Sequence, residues 1–485
     1  MKMLRRDKPI RAPKVWLAIG ILLFLIAYCW ALQFSLLIPL LVAFLGVYLL
    51  FFQKGSTYFF LRLGLLLVGL VFITDYAIRY TQIPLTLLPF YIPAASVAML
   101  TMLLFNDLQL VLVMSVVGCT TVSLLTSPNL HTVLILLLGN LTGAFAVYDA
   151  RTRGKLLSGG IYVGIVQAIA AIFAFPELSL SPTKEFMMQY LSPLLINGVV
   201  CGLVVMAVLG ICEYLFGVIT NFSLMELSDF NQPLLKRMVL EAPGTYHHSL
   251  IVSNMSEAAA GAIGANALLT RVGAYYHDIG KMEKPEYFTE NQLLGDNKHD
   301  DIEPSMSRLV ILNHVKEGVE LAKKYKLNQI IIDFIPQHHG TSLIHFFYQK
   351  ALEETDDPQT IKEENYRYPG PKPQKRETAI VMLADSVEGA TRALDEHTPV
   401  KINETVRKVI NNKFIDGQLD ECNLTLKEID TIASTFTRVL SAMYHGRVKY
   451  PEKKNGTESR NPKPADDRPD LSRPDQGPRP NGSAG

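Results

Sequence analysis

The chain has 485 residues, 49% of them hydrophobic and 19% charged, with a formal net charge of +1 and a mean hydropathy of +0.20. The distribution excludes a soluble single-domain enzyme: Val15 to Tyr148 holds only five charged side chains (Lys54, Arg62, Asp75, Arg79 and Asp107), whereas ten of the eleven histidines lie at or beyond His247. A net charge so near zero says little about partners, and no nucleic-acid polymer is expected among them.

Residues 1–14 form a basic tail carrying Lys2, Arg5, Arg6, Lys8, Arg11 and Lys14. A bilayer core about 30 Å thick takes roughly 20 apolar residues per helix. Residues 15–216 therefore read as a helical membrane domain of about eight spans: Val15–Leu32, Phe34–Phe52, Tyr58–Thr74, Ile83–Phe105, Leu108–Leu125, Leu130–Tyr148, Leu157–Phe175 and Pro193–Cys212. Positive residues resist translocation, so the tail and the loop with Arg151, Arg153 and Lys155 are expected on the cytoplasmic side. An even number of spans then places both termini and the polar half in the cytoplasm of a multi-pass protein. A cleaved signal peptide is the alternative for the first span, disfavoured by its length and by the second span that follows at once.

Asp75 and Arg79 are spaced i,i+4, and their plainest reading is a solvated helix end. Gly139/Gly143 and Gly160/Gly164 have the spacing that lets helices approach closely in lipid. Few ionisable groups lie deep in the spans, which disfavours a transporter. Of the five cysteines, Cys29, Cys119, Cys201 and Cys212 fall in or at the end of spans and Cys422 lies in the polar half, so no disulfide framework is implied.

Residues 217–240 read as a juxtamembrane connector with Asn231 as N-cap and Pro233 in the first turn of a helix ending near Leu240. Residues 241–448 carry helical periodicity without sustained strand alternation, so an all-α domain is expected. Residues 449–485 contain seven prolines and almost no large apolar side chains, and read as disordered.

The polar half presents His248, then His277-Asp278 with Lys281, then His314, the doublet His338-His339, and Asp385. Imidazole and carboxylate suit iron, manganese, zinc and similar divalent ions, and five histidines with two aspartates suffice for two of them. The chemistry implied is that of a two-metal hydrolase, whose ions share a bridging water and clamp an in-line phosphoryl displacement. Asp278 is the best-placed shared ligand. On a helix Lys281 would return to the face of His277 and Asp278 and neutralise charge on a phosphate. Each histidine alone is more simply a packed core residue; the ordered series is what points to metal. Either His247 or His248 fits the first ligand position. His299, His345, His397 and His445 are assigned to surface or packing, with an approach of His345 to substrate left open. Glu388 and Arg392 share the helical face of Asp385, supporting the ligands, contacting phosphate or forming a structural ion pair.

These residues resemble the HD phosphohydrolase superfamily. The segments Leu227-Ser-Asp-Phe-Asn-Gln-Pro233, Ala242-Pro-Gly-Thr-Tyr-His-His-Ser249, Arg271 to Lys281, His338-His-Gly-Thr341 and Tyr368-Pro-Gly-Pro-Lys-Pro-Gln374 narrow the resemblance to the 7TM-HD membrane phosphodiesterases, over about residues 15–448. That resemblance implies a bacterial cell-membrane enzyme hydrolysing cyclic di-AMP to linear pApA with two divalent ions, iron or manganese. It assigns His248, His277, Asp278 and Asp385 to one ion and Asp278, His314, His338 and His339 to the other, and favours His248 over His247. Asp278 and Lys281 are the expected catalytic residues, and a homodimer is left open. The sequence departs from the family where a sizeable extracellular domain normally follows the first span: only a residue or two around Gln33 stands there.

Two other readings compete. A cyclic di-GMP hydrolase of the HD-GYP type would carry Gly-Tyr-Pro soon after the paired histidines, where this chain has Gly-Thr-Ser-Leu-Ile-His. Base choice therefore rests on the resemblance, and another nucleotide-cleaving HD hydrolase is a more distant variant. A membrane receptor that binds nucleotide without cleaving it would not need a complete hydrolytic centre.

Overall fold

The computed structural model describes residues 57–175, 184–292, 297–355, 357 and 360–444. The basic tail, the first two expected spans with Gln33, His445 and the proline-rich tail lie outside the described residues.

Among the described residues, the apolar half holds six long helices: α1 (Thr57–Tyr80), α2 (Ala95–Phe105), α3 (Leu108–Leu125), α4 (Leu130–Ala146), α5 (Arg153–Ala174) and α6 (Ser192–Phe216). Four helical segments among the described residues are long and apolar enough to cross a membrane: Leu63–Tyr80, Leu108–Leu125, Arg153–Ala174 and Met187–Phe216. The expected span Ile83–Phe105 needs correction, because helix begins only at Ala95, after a 3-10 turn at Leu88–Tyr91. Pro84, Pro89 and Pro93 remove three backbone donors from that stretch, which a continuous helix cannot tolerate. α1 in turn runs past Thr74 to Tyr80, and Arg79 Nε meets both carboxylate oxygens of Asp75 at 2.9 and 3.0 Å.

Side-chain caps fix the helix starts. Asp107 accepts the amide of Leu110 at the start of α3, and Asn129 accepts that of His131 at the start of α4. The α5–α6 contact is made by glycine: a Cβ on Gly160 would lie 2.4 Å from the Gly198 carbonyl oxygen, and one on Gly198 would lie 2.3 Å from the Gly164 nitrogen. Only backbone fits there, which gives the Gly160/Gly164 spacing its physical content. Cys119, Cys201, Cys212 and Cys422 are buried free thiols.

The polar half is helical, with a single isolated bridge, Leu343 to Arg367, among the described residues. Its helices are α7 (Asn221–Leu227), α8 (Pro233–Glu241), α9 (Pro243–Ala262), α10 (Ala267–Tyr276), α11 (Pro304–Lys324), α12 (Gln329–Ile332), α13 (Phe334–Gln337), α14 (His345–Glu354), α15 (Arg376–Arg392), α16 (Pro399–Ile415) and α17 (Leu426–Tyr444). α8 starts at Pro233 as expected, but its N-cap is Gln232; Asn231 instead donates its side-chain amide to Asp229.

The Leu227–Pro233 segment is held to the polar half by aromatic packing. Phe230 lies edge-on to Tyr246 of α9 and Tyr275 of α10, with ring centroids 5.5 and 5.2 Å apart, and the Tyr276 hydroxyl donates to the Leu227 carbonyl at 2.8 Å. α9, α10 and α13 each pack against α15, which brings their ends together.

Candidate metal centre

The site is assembled from five places in the chain. His248 projects from α9, His277 caps α10, His314 sits in the middle of α11, His338 and His339 follow α13, and Asp385 lies on α15. The expectation that His277, Asp278 and Lys281 share one helix is corrected here. α10 ends at Tyr276, Asp278 has φ −112° and ψ 16°, and a 3-10 segment runs over Ile279–Glu283. The break follows from Gly280, where a Cβ would lie 1.9 Å from the His314 carbonyl oxygen and 2.6 Å from the Gly318 nitrogen. Chain and α11 touch backbone to backbone, which sets Asp278 beside His314.

Hydrogen bonds orient the imidazoles. His277 Nδ1 donates to the Ala274 carbonyl (2.7 Å), His314 Nδ1 to that of Ile311 (2.5 Å) and His338 Nδ1 to that of Ile335 (2.6 Å). With a proton fixed on Nδ1, each Nε2 is turned inward. His248 is held likewise, its Nδ1 2.7 Å from Glu388 Oε2, while His247 points to solvent. That geometry settles which member of the pair faces the cavity. His339 differs: its ring stacks on Tyr368 at 4.1 Å, with Nδ1 3.9 Å from Asp385 Oδ2.

Asp278 stands at the centre. Its Oδ1 lies 3.5 Å from His314 Nε2 and 3.4 Å from His338 Nε2; its Oδ2 lies 3.1 Å from His277 Nε2 and 3.6 Å from His248 Nε2. Two groups of four can each offer ligand atoms within 4.8 Å of one another: Asp278, His314, His338 and His339, and His248, His277, Asp278 and Asp385. Both groups contain Asp278. The Nε2 atoms of His277, His314 and His338 and both Asp278 oxygens are buried without a hydrogen bond, ion pairing aside. Orphaned lone pairs aimed at one point are costly unless something electropositive meets them. The donor set therefore fits divalent metal.

The electrostatics follow. Burial opposes ionisation of both Asp278 and Asp385, but neighbouring imidazoles, and for Asp278 also Lys281, outweigh it and hold both carboxyls well below the usual range. Burial would likewise lower the pKa of His277; the adjoining Asp278 carboxylate reverses that and pushes it up to about 10. Burial dominates for His314, bringing it down to about 4.

Lys281 joins the same cluster. Its ammonium lies 2.8 Å from Asp278 Oδ2 and 2.8 Å from Glu290 Oε1, so two carboxylates already balance its charge. Sequence reasoning missed Glu290, which no spacing pattern marks; a Cβ on Gly244 would lie 1.8 Å from its carbonyl oxygen, so backbone contact with α9 brings it in. Tyr368 was singled out only within a motif, and its stacking on His339 needs the fold. Of the remaining histidines, His299 is buried against Phe347 and bonded to the Tyr287 carbonyl (2.8 Å), and His345 lies on α14 in an outer groove with Phe346 and Lys350. Arg392 Nη1 lies 3.5 Å from Glu388 Oε1, so two of the readings of that pair hold together: Glu388 supports His248 and also pairs with Arg392.

Comparison with known proteins places these features. Residues 245–390 match the HD domain family, and residues 15–220 match the family described as 7TM receptor with intracellular HD hydrolase. The chain is 42% identical over 320 residues to the cyclic-di-AMP phosphodiesterase PgpH of Bacillus subtilis, covering 65% of this chain and 44% of that protein. It is 40% identical over 369 residues to PgpH of Listeria monocytogenes, covering 76% of this chain and 51% of the relative. The chain thus spans about half the length of these curated relatives. A crystal structure of the L. monocytogenes PgpH HD domain in complex with cyclic-di-AMP is 49% identical and covers 45% of this chain and 100% of its own, with a TM-score of 0.43. Residues 15–220 and 245–390 thus match these two families in turn, and the chain is a homologue of the PgpH cyclic-di-AMP phosphodiesterases at about 40% identity.

Proposed function

We propose that the protein is a membrane-bound phosphodiesterase that opens cyclic di-AMP to linear pApA at a centre for two divalent ions, iron or manganese. The observation that carries this reading is the pair of ligand groups sharing Asp278, with buried nitrogen and oxygen atoms that have no hydrogen-bond partner converging between them. Divalent ions there would activate water and offset the charge that builds on phosphoryl oxygens. The chain's own part is to hold the donors: His248, His277 and Asp385 with one Asp278 oxygen, and His314, His338 and His339 with the other.

Water adds to one phosphorus, the P–O3′ bond on that phosphorus breaks, and the leaving oxygen takes up a proton. The product carries a 5′-phosphate at one end and a free 3′-hydroxyl at the other. The preference for adenine is supported by the names of the relatives, both cyclic-di-AMP phosphodiesterases. The apolar helices and basic loop support a multi-pass protein of the bacterial cell membrane with the HD domain and both termini in the cytoplasm. The partners proposed are the lipid bilayer and the dinucleotide.

The test is turnover by the full chain in detergent with Mn²⁺, offered cyclic di-AMP or cyclic di-GMP. Linear product from the adenine compound is expected, and Asp278→Ala should lose at least about 1,000-fold in kcat because both ligand groups lose a member. Tight binding without turnover would establish a receptor instead, and wild-type-like turnover by Asp278→Ala would refute the shared ligand.

A further inference from the structure

A cyclic dinucleotide has two phosphodiesters, and the metal groups address only the one being cut. The second needs a cation of its own, and Lys281 is spent on Asp278 and Glu290. Resting on the phosphodiesterase reading above, we propose that Lys413 binds the phosphodiester that is not cleaved and so registers the substrate as a two-phosphate ring.

Lys413 lies near the end of α16, which packs against the Asp385-bearing α15. Its ammonium donates to Ser342 Oγ at 2.7 Å. Ser342 is three residues past His339, in a turn closed by its own amide bonding to the His339 carbonyl at 3.1 Å. The lysine therefore reaches the loop that carries two of the metal-facing histidines. Next to it, the Tyr368 amide bonds to the Ser342 carbonyl at 3.0 Å, and the Tyr368 ring covers His339.

Among the described residues this ammonium has one acceptor and no carboxylate partner, although the side chain is half-buried. An ammonium has three donors, so two remain for something else. Asp416, a carboxylate whose field also reaches Lys413, is already paired: Arg367 Nη2 lies 2.9 Å from its Oδ1, and Gln418 donates to its Oδ2 at 2.9 Å. Burial disfavours the charge on Lys413, and the field of Asp385 works the other way, which puts the amine within electrostatic reach of the metal-facing carboxylate. A half-buried cation with spare donors at the rim of a phosphoryl-transfer site is the complement of a phosphate anion.

A purely structural lysine that pins Ser342 would support the histidine loop for every substrate alike. The discriminating measurement is steady-state kinetics of the full chain with Mn²⁺ on cyclic di-AMP and on bis(p-nitrophenyl) phosphate, which has a single phosphodiester. Lys413→Met should raise KM for cyclic di-AMP about 10–100-fold with kcat within about 3-fold, as expected for a lost charge-assisted contact. Lys413→Arg should recover most of that loss, and bis(p-nitrophenyl) phosphate turnover should be unchanged in both variants. Equal losses on the two substrates, or an unchanged KM for cyclic di-AMP, would overturn the proposal. If the wild-type chain cleaves neither compound, the phosphodiesterase reading fails; the dissociation constant of cyclic di-AMP then decides for Lys413, and equal values for wild type and Lys413→Met would overturn its role.

Discussion

Glu388 offers a way to perturb one ligand group more than the other. It is buried on α15, one turn past Asp385, and its Oε2 holds His248 Nδ1 at 2.7 Å. That contact keeps the proton on Nδ1 and turns Nε2 toward Asp385 Oδ1, 3.1 Å away, and Asp278 Oδ2, 3.6 Å away. Glu388→Gln keeps an acceptor oxygen of similar reach but removes the negative charge that makes the imidazole a better donor to metal. Arg392, 3.5 Å from the other carboxylate oxygen, would then face a neutral amide and draw electron density the wrong way. Losing such support typically weakens metal binding about 10–100-fold, or about 1.4–2.8 kcal/mol. The group of His248, His277, Asp278 and Asp385 should feel it most. Calorimetric titration of the metal-free chain with Mn²⁺, alongside elemental analysis, should show one site weakened more than the other. Equal weakening of both sites would mean that Glu388 acts through general stability, and no weakening would mean that His248 is not a ligand.

Two other outcomes follow from the same geometry. Gly280→Ala places a methyl 1.9 Å from a carbonyl oxygen that cannot rotate away, so α11 must shift; overpacking of this kind costs about 1–3 kcal/mol, and differential scanning fluorimetry should show a lower melting midpoint, with an unchanged midpoint contradicting the backbone contact. His277 supplies the pH dependence. Its pKa in the metal-free chain, pushed up to about 10, stands above the roughly 6.5 of an unfolded histidine, so its stabilising effect is full below about pH 6.5 and is lost as pH rises toward 10. A metal needs that nitrogen unprotonated. Loading between pH 7 and 9 should therefore expel about one proton, with affinity rising up to about tenfold per pH unit; calorimetry in buffers of different ionisation enthalpy reads this directly, and zero proton release would contradict the charged imidazole.

The parts of this site that were legible in the sequence are those whose chemistry is carried by residue type. Five histidines and two aspartates announce themselves by kind and order, and all seven face one cavity in the fold. The all-helical character was equally plain, since periodicity reports which face of a helix is buried. Backbone approach was not legible. The helix expected through His277 and Lys281 breaks at Asp278 because Gly280 lies on the backbone of α11, more than thirty residues away in sequence. The same limitation hid Glu290, and it let Ile83–Phe105 pass for one span when hydropathy was weighed above its three prolines. His247 and His248 are chemically identical, and only the direction in which α9 faces separates them.

The burial of this centre couples metal to folding. His277, Asp278, His314 and His338 are each at most 1% exposed, and hydrophobic residues such as Tyr275, Tyr276 and Phe334 fill the space behind them. Without metal, inward nitrogen lone pairs face anionic oxygens across about 3.4–3.5 Å at His314 and His338, a repulsion that a protonated imidazole relieves at His277 but that burial resists at His314. Cations entering the cavity would replace that repulsion with attraction on both sides of Asp278. The four chain segments that meet there, Pro243–Ala262, Ala267–Glu283, Pro304–His339 and Arg376–Arg392, would then be tied through a shared carboxylate rather than through apolar contact alone. Loss of either ion should consequently loosen both ligand groups, because the oxygen that each requires belongs to the same side chain.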